Sequence, residues 1–153
     1  MNGSAPVRFR EATVADLPAI LGLLEEDSLD TRRGGDDLAY FREAFDVLVQ
    51  SGETRIVVGE MAGRVVATYQ LTLIHGLSIR ATLRAQIESV RVAGDLRGRG
   101  IGTVLMADAE ARARDAGCQL LQLTSNRTRS DAGRFYKRLG FTPSHIGYKR
   151  DLT

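Results

Sequence analysis

The chain has 153 residues, 43% of them hydrophobic and 26% charged, with a formal charge of +2; this describes one ordinary globular domain and excludes a polyelectrolyte binder. A single cysteine, Cys118, excludes an intramolecular disulfide and fits a reducing compartment, and Cys and His together are too few for a zinc site. No apolar run approaches the ~18 residues of a membrane span, and MNGSAPVRFR has no signal-peptide core, so a cytoplasmic location is expected.

Residues 7–11 (VRFRE) alternate and read as a first strand. Thr13 followed by Asp16 resembles a helix N-cap with an acid in the first turn, and Leu17, Ile20, Leu21 and Leu24 then recur at helical spacing. Pro18 fits only if it lies near that first turn. DTRRGGDD (30–37) reads as a polar loop, and Leu38, Phe41, Phe45 and Leu48 mark a second helix. TRIVVGE (54–60) and RVVATYQLTLI (64–74) read as strands, with MAGR between them as a hairpin turn. RAQIESVRV (84–92) is a fourth strand. A helix over 100–116 follows, with Ile101, Leu105, Ala109 and Ala113 four apart on its inner face and Gly117 as C-cap. QLLQLTS (119–125) is a fifth strand. Ala132, Phe135, Tyr136 and Leu139 mark a last helix closed by Gly140, and SHIGYKRDL (144–152) reads as a final strand. The order is βααβββαβαβ, a mixed-sheet α/β fold forming one domain over 1–153, without repeats or linkers.

The fourth strand breaks parity. Ile87 is odd, while Val90 and Val92 are even, so strict alternation cannot bury all three on one face. A β-bulge between Ile87 and Val90 reconciles them, and bulges recur beside active sites. A strand buried on both faces also would.

The chemistry concentrates after this strand, in RGRGIG. A helix N-terminus presents unpaired N–H groups and the positive end of a dipole, and glycines let an anion approach them. Arg97 and Arg99 add forked donors suited to phosphate. Arg97, Gly98, Arg99, Gly100, Ile101, Gly102 and Thr103 thus read as a pyrophosphate cradle; the alternative is a tight turn with two solvated arginines. The loop has no lysine, which excludes a P-loop, and its G-x-G-x-G spacing without a later acid departs from the dinucleotide fingerprint.

Arg97, Gly100 and Gly102 do resemble the [Q/R]-x-x-G-x-[G/A] motif of the GNAT superfamily of acyl-CoA N-acyltransferases. AGRFYKRLGF (132–141) resembles that superfamily's A-x-x-F-Y-x-x-x-G-F ending, and the element order agrees over nearly the whole chain. The resemblance implies splayed fourth and fifth strands and acetyl-CoA as co-substrate, its pyrophosphate on residues 97–103. It places the pantetheine along Val90, Arg91 and Val92, with Asn126 near its arm and Asp131 at the start of the helix beside it. It implies Glu88 as the base, acting through water, and Tyr136 as the acid that protonates the departing thiolate. No metal is implied.

Other candidates fit ordinary roles. Cys118 follows a helix end with no His nearby in sequence and reads as packed. His75 and the loop charges Arg32, Arg33, Asp36 and Asp37 read as solvated, although such loops border the acceptor pocket in folds of this kind. The expected activity is acetyl transfer to a primary amine of a small molecule or peptide, in a ternary complex. A different acyl-CoA donor and a non-catalytic acyl-CoA-binding regulatory domain are the alternatives. Nucleic acid is not an expected partner, because the chain has no Trp and no aromatic between Arg80 and Arg134 for base stacking. A homodimer paired through edge strands is compatible with this shape, and the sequence does not decide it.

Overall fold

A computed structural model describes residues 5–26 and 38–153. The loop read over 30–37, with Arg32, Arg33, Asp36 and Asp37, lies outside them. The chain forms two compact units, Met1–Gln122 and Leu123–Thr153.

In the first unit, strand β1 (Arg8–Glu11) leads through a 3₁₀ turn, Val14–Asp16, into helix α1 (Leu17–Glu25). That turn explains Pro18: the α-helix begins at Leu17, so the proline stands in its first turn, where no N–H is needed. Helix α2 (Leu38–Gln50) follows, then β2 (Thr54–Met61), β3 (Arg64–Ile74), β4 (Arg84–Val92), helix α3 (Ile101–Asp115) and β5 (Leu120–Leu123), whose last residue is counted with the second unit. The sheet order is β1-β2-β3-β4-β5, with β1 through β4 antiparallel. The fifth strand is shorter than the sequence suggests.

The register sorts side chains onto two faces. Tyr69, Leu71, Ala85 and Ile87 are almost wholly buried on one. Helix α3 covers this face: its Asp108 accepts a hydrogen bond from the Tyr69 hydroxyl at 2.5 Å, and Ile101, Leu105, Ala109 and Ala113 are all buried. Burial and the Asp108 carboxylate together keep the Tyr69 phenol neutral far above its usual range. Helix α1 lies on the opposite face, held by Arg10 of β1, whose guanidinium grips Asp16 at 2.8 and 2.9 Å.

Asp16 closes the capping box with Thr13, accepting the Thr13 amide at 2.7 Å. The Arg10 guanidinium holds its carboxyl below the usual carboxylate range, and the Thr13 bonds add to this against the opposing effect of burial. A depressed folded pKa stabilises the fold above the unfolded value and ceases to do so as pH falls through the folded one. Asp16→Asn is therefore expected to cost about 2 kcal/mol at pH 7. Urea melts of the two proteins should converge as pH drops below about 4; a gap unchanged at pH 3 would refute the ion-pair account.

The second unit contains helix α4 (Ser130–Arg138), with Phe135, Tyr136 and Phe141 in edge-on ring contacts. The strand expected over 144–152 is not formed. Its alternation is real, but Ile146 and Tyr148 are 61% and 90% exposed, so extension there buries no apolar face and gains nothing over solvated chain. Among the described residues no helix is long and apolar enough to cross a membrane.

Candidate active site

The parity break in β4 is a bulge. Gln70 pairs with Glu88 and Thr68 with Arg91, so one residue of β3, Tyr69, opposes two of β4, Ser89 and Val90. Ser89 absorbs the extra residue at φ +53, a left-handed conformation uncommon outside glycine. Beyond it Val92 pairs with Ala67 and rejoins the face of Ile87, while Arg91 turns to the face of Glu88.

The bulge also sets the phase of the backbone. The Ala93 amide donates to the Val66 carbonyl at 2.8 Å, so the groups of Val92, and by alternation those of Val90, point away from β3. The Val92 carbonyl accepts from Arg97 Nε at 3.4 Å, and the Val90 carbonyl from Arg91 Nη1 at 2.9 Å, as this orientation requires. At the start of both strands the Gln119 amide donates to the Leu83 carbonyl, and Gln122 bonds Arg84 and Gln86. The C-terminal part of β4 thus presents amides and carbonyls along an edge that an extended amide-bearing molecule can pair with.

Directly after β4 the chain makes a short 3₁₀ turn, Gly94–Leu96, braced from two sides. Arg64, beside the β2–β3 turn, forks onto Asp95 at 2.8 and 2.9 Å, and these hydrogen bonds, with the guanidinium charge behind them, lower the Asp95 carboxyl. The Gly94 amide donates to Glu26 at the end of α1 at 2.9 Å. Buried Leu96 and Ile101 pin the loop from beneath. Between them Gly98 and Gly100 adopt φ +76 and +82, conformations that direct the following amides outward into α3. No side chain caps this helix, and its first intrahelical bond runs from the Val104 amide to the Gly100 carbonyl. The amides of Ile101, Gly102 and Thr103 therefore stand at a positive helix end with exposed Arg97 and Arg99 beside them. An uncapped helix end flanked by two arginines can accept a polyanion.

Glu88 is exposed at the bulge, its carboxylate accepting from the Gln86 side chain at 2.5 Å and from Gln70 at 3.5 Å. Glu88, Val90, Arg91, Val92 and residues 97–103 thus form one continuous stretch of the first unit. The remaining candidates belong to the second. Asn126 receives the Thr128 amide and hydroxyl at 3.0 and 2.9 Å, Asp131 pairs with Arg134, and Tyr136 is half-buried among aromatic rings. Cys118 is half-buried, and burial pushes its thiol up, away from nucleophilic use. His75 bonds Glu53 at 3.2 Å as an ordinary exposed pair.

A model of the Acetyltransferase (GNAT) family matches residues 20–141. The chain belongs to this family. This acetyltransferase is 32% identical to an aminoalkylphosphonate N-acetyltransferase of Salmonella typhimurium over 94% of its own length and 90% of the relative's. Among solved structures, a Bacillus halodurans C-125 chain described as a transcriptional regulator is 35% identical, with a TM-score of 0.90 over 96% of this chain and all of that one. Glucosamine-6-phosphate N-acetyltransferase from Arabidopsis thaliana, 18% identical, shares the fold with a TM-score of 0.83 over 97% of this chain and 99% of its own. The protein is an acyltransferase of a family that uses acetyl-CoA.

Sequence reasoning missed the glutamines that hold Glu88. A signal was available: positions 84, 86 and 88 are all polar while 85 and 87 are apolar, which marks a wet sheet face. The cross-strand partners, Gln70 and Gln122, required the register.

Proposed function

We propose that this acetyltransferase moves the acetyl group of acetyl-CoA to the primary amine of a short aminoalkylphosphonate. The observation that carries the acceptor is the 32% identity to an aminoalkylphosphonate N-acetyltransferase over nearly the full length of both chains.

The donor's pyrophosphate lies on the amides of residues 97–103, and its pantetheine pairs with the outward backbone of Val90 and Val92, past Arg91; Asn126 and Asp131 carry over as further donor contacts. The acceptor must lose a proton before it attacks: an alkyl ammonium of pKa ~10.4 is less than about 0.1% neutral at pH 7. Glu88 takes that proton through a bridging water, a role worth about 10²–10⁴ in rate. The amine nitrogen then bonds to the thioester carbonyl carbon, the carbon–sulfur bond breaks, the thiolate takes a proton from the Tyr136 hydroxyl, and the proton that the new amide nitrogen sheds returns through water to the phenolate. Backbone amides of β4 polarise the carbonyl as negative charge gathers on its oxygen. No acyl-enzyme forms, in keeping with the raised thiol of Cys118.

The test is release of free CoA from acetyl-CoA with aminomethyl- and 2-aminoethylphosphonate, against peptide N-termini, aminoglycosides and lysine. Phosphonate turnover at a kcat/KM at least about 10²-fold above the others is expected. Turnover of another amine class with the phosphonates inert would overturn the acceptor and leave the family standing.

A further inference from the structure

We infer that Arg84 holds the anionic group of the acceptor, and that the polar strip of sheet between Arg84 and Glu88 is the floor on which the acceptor lies. This rests on the reading of Glu88 as base and of the acceptor as an anionic amine.

The two faces of the sheet differ at this strip. At the same pairs, the α3-facing side is closed by Ala85, Ile87 and Leu71, each at most 1% exposed. Turned the other way are Arg84, Gln86 and Glu88 of β4 and, opposite the last two, Thr72 and Gln70 of β3, all partly open to solvent.

These side chains are linked end to end. Arg84 Nη1 donates to Gln122 Oε1 at 3.1 Å. Gln122 Nε2 donates to Gln86 Oε1 at 2.9 Å, and Gln86 Nε2 donates on to Glu88. Gln70 supplies Glu88 with a second amide donor. Each amide points its oxygen toward the cation and its nitrogen toward the carboxylate, so one end of the strip is fixed as positive and the other as negative. A zwitterion with an ammonium at one end and an oxyanion at the other is the electrostatic complement of this arrangement.

Arg84 also differs from several arginines elsewhere in the chain. Arg10, Arg55, Arg64, Arg112 and Arg114 each meet a carboxylate. Arg84 meets a neutral amide, so its charge is not cancelled there, and its guanidinium keeps further donors in a planar fork that suits phosphonate oxygens. It is half-buried, where attraction to an anion is stronger than in open water. Four residues of strand separate it from Glu88, about 13 Å of rise.

The experiment compares KM and kcat for 2-aminoethylphosphonate and for n-propylamine in the wild type, Arg84→Gln and Arg84→Lys, with thermal melts to verify folding. Glutamine can still donate to Gln122, so the strip survives the substitution. Arg84→Gln is expected to raise KM for the phosphonate about 30-fold, with kcat, KM for acetyl-CoA and KM for propylamine within about threefold of wild type. Arg84→Lys should recover part of the loss. Equal loss for both amines, or none for either, would overturn the inference. If the wild type is inert on phosphonates, the acceptor reading fails, and the comparison passes to amino carboxylates and amino phosphate esters. A wild-type preference for those anions that Arg84→Gln erases sustains Arg84 as the anion site; no such preference, or one the variant keeps, refutes it.

Discussion

Gly100→Asp is expected to abolish acetyl-CoA binding while leaving the fold intact. Gly100 sits at φ +82 as the N-cap of α3, and a Cβ there would meet nothing within 4 Å. Aspartate and asparagine are the side chains that best tolerate this left-handed conformation, and both are good N-caps. Neither should unfold the protein. They differ in charge. A carboxylate at Gly100 would occupy the positive helix end with its own negative charge, beside the amides of Ile101, Gly102 and Thr103 on which the pyrophosphate is proposed to lie. Asparagine presents the same shape without the charge. Calorimetry with acetyl-CoA should show Kd raised about 10-fold by Gly100→Asn and at least about 10³-fold by Gly100→Asp, or roughly 1.4 and 4 kcal/mol. Equal effects would make the loss steric rather than electrostatic. Wild-type binding by the aspartate variant would place the phosphates elsewhere and reduce the glycine loop to a turn.

How much of this site could be read in advance depends on whether each feature is local. The inner face of α3, with Ile101, Leu105, Ala109 and Ala113 one turn apart, follows from helical periodicity, and all four are buried. The bulge was legible because it leaves a parity error: Ile87 and Val92 share a face only if an extra residue lies between them, and Ser89 is that residue. The 144–152 segment shows the converse. Its alternation is as clear as that of β2, yet a strand is a relation between two chains, and alternation does not supply the partner. Gln70, Gln86 and Gln122 are likewise scattered in sequence and meet only through the register of β3, β4 and β5. The braces Arg64–Asp95 and Glu26–Gly94 join residues 31 and 68 positions apart, beyond any local pattern.

Glu88→Gln and Tyr136→Phe should separate the two proton transfers proposed for Glu88 and Tyr136. Glu88→Gln keeps the shape of the side chain and an oxygen for the Gln86 amide, so the strip of sheet should hold, while the variant can no longer accept the ammonium proton. We expect kcat to fall at least about 10²-fold with the Kd of acetyl-CoA unchanged, and the fall of rate toward low pH that a carboxylate base imposes should disappear. A retained acidic limb would move the base elsewhere and leave Glu88 as a ligand of its two glutamines. Tyr136→Phe deletes a single oxygen and preserves the ring contacts with Phe135 and Phe141. If the hydroxyl protonates the thiolate, kcat should fall by about 10²-fold, again with the donor's Kd unmoved; an unchanged kcat would make the ring a packing element alone. The double variant is informative because groups that serve one chemical step are not additive. If attack and thiolate departure share a transition state, the double variant should lose far less than the product of the two single losses. A full product would mean two steps with separate barriers, and a tetrahedral intermediate that persists between them.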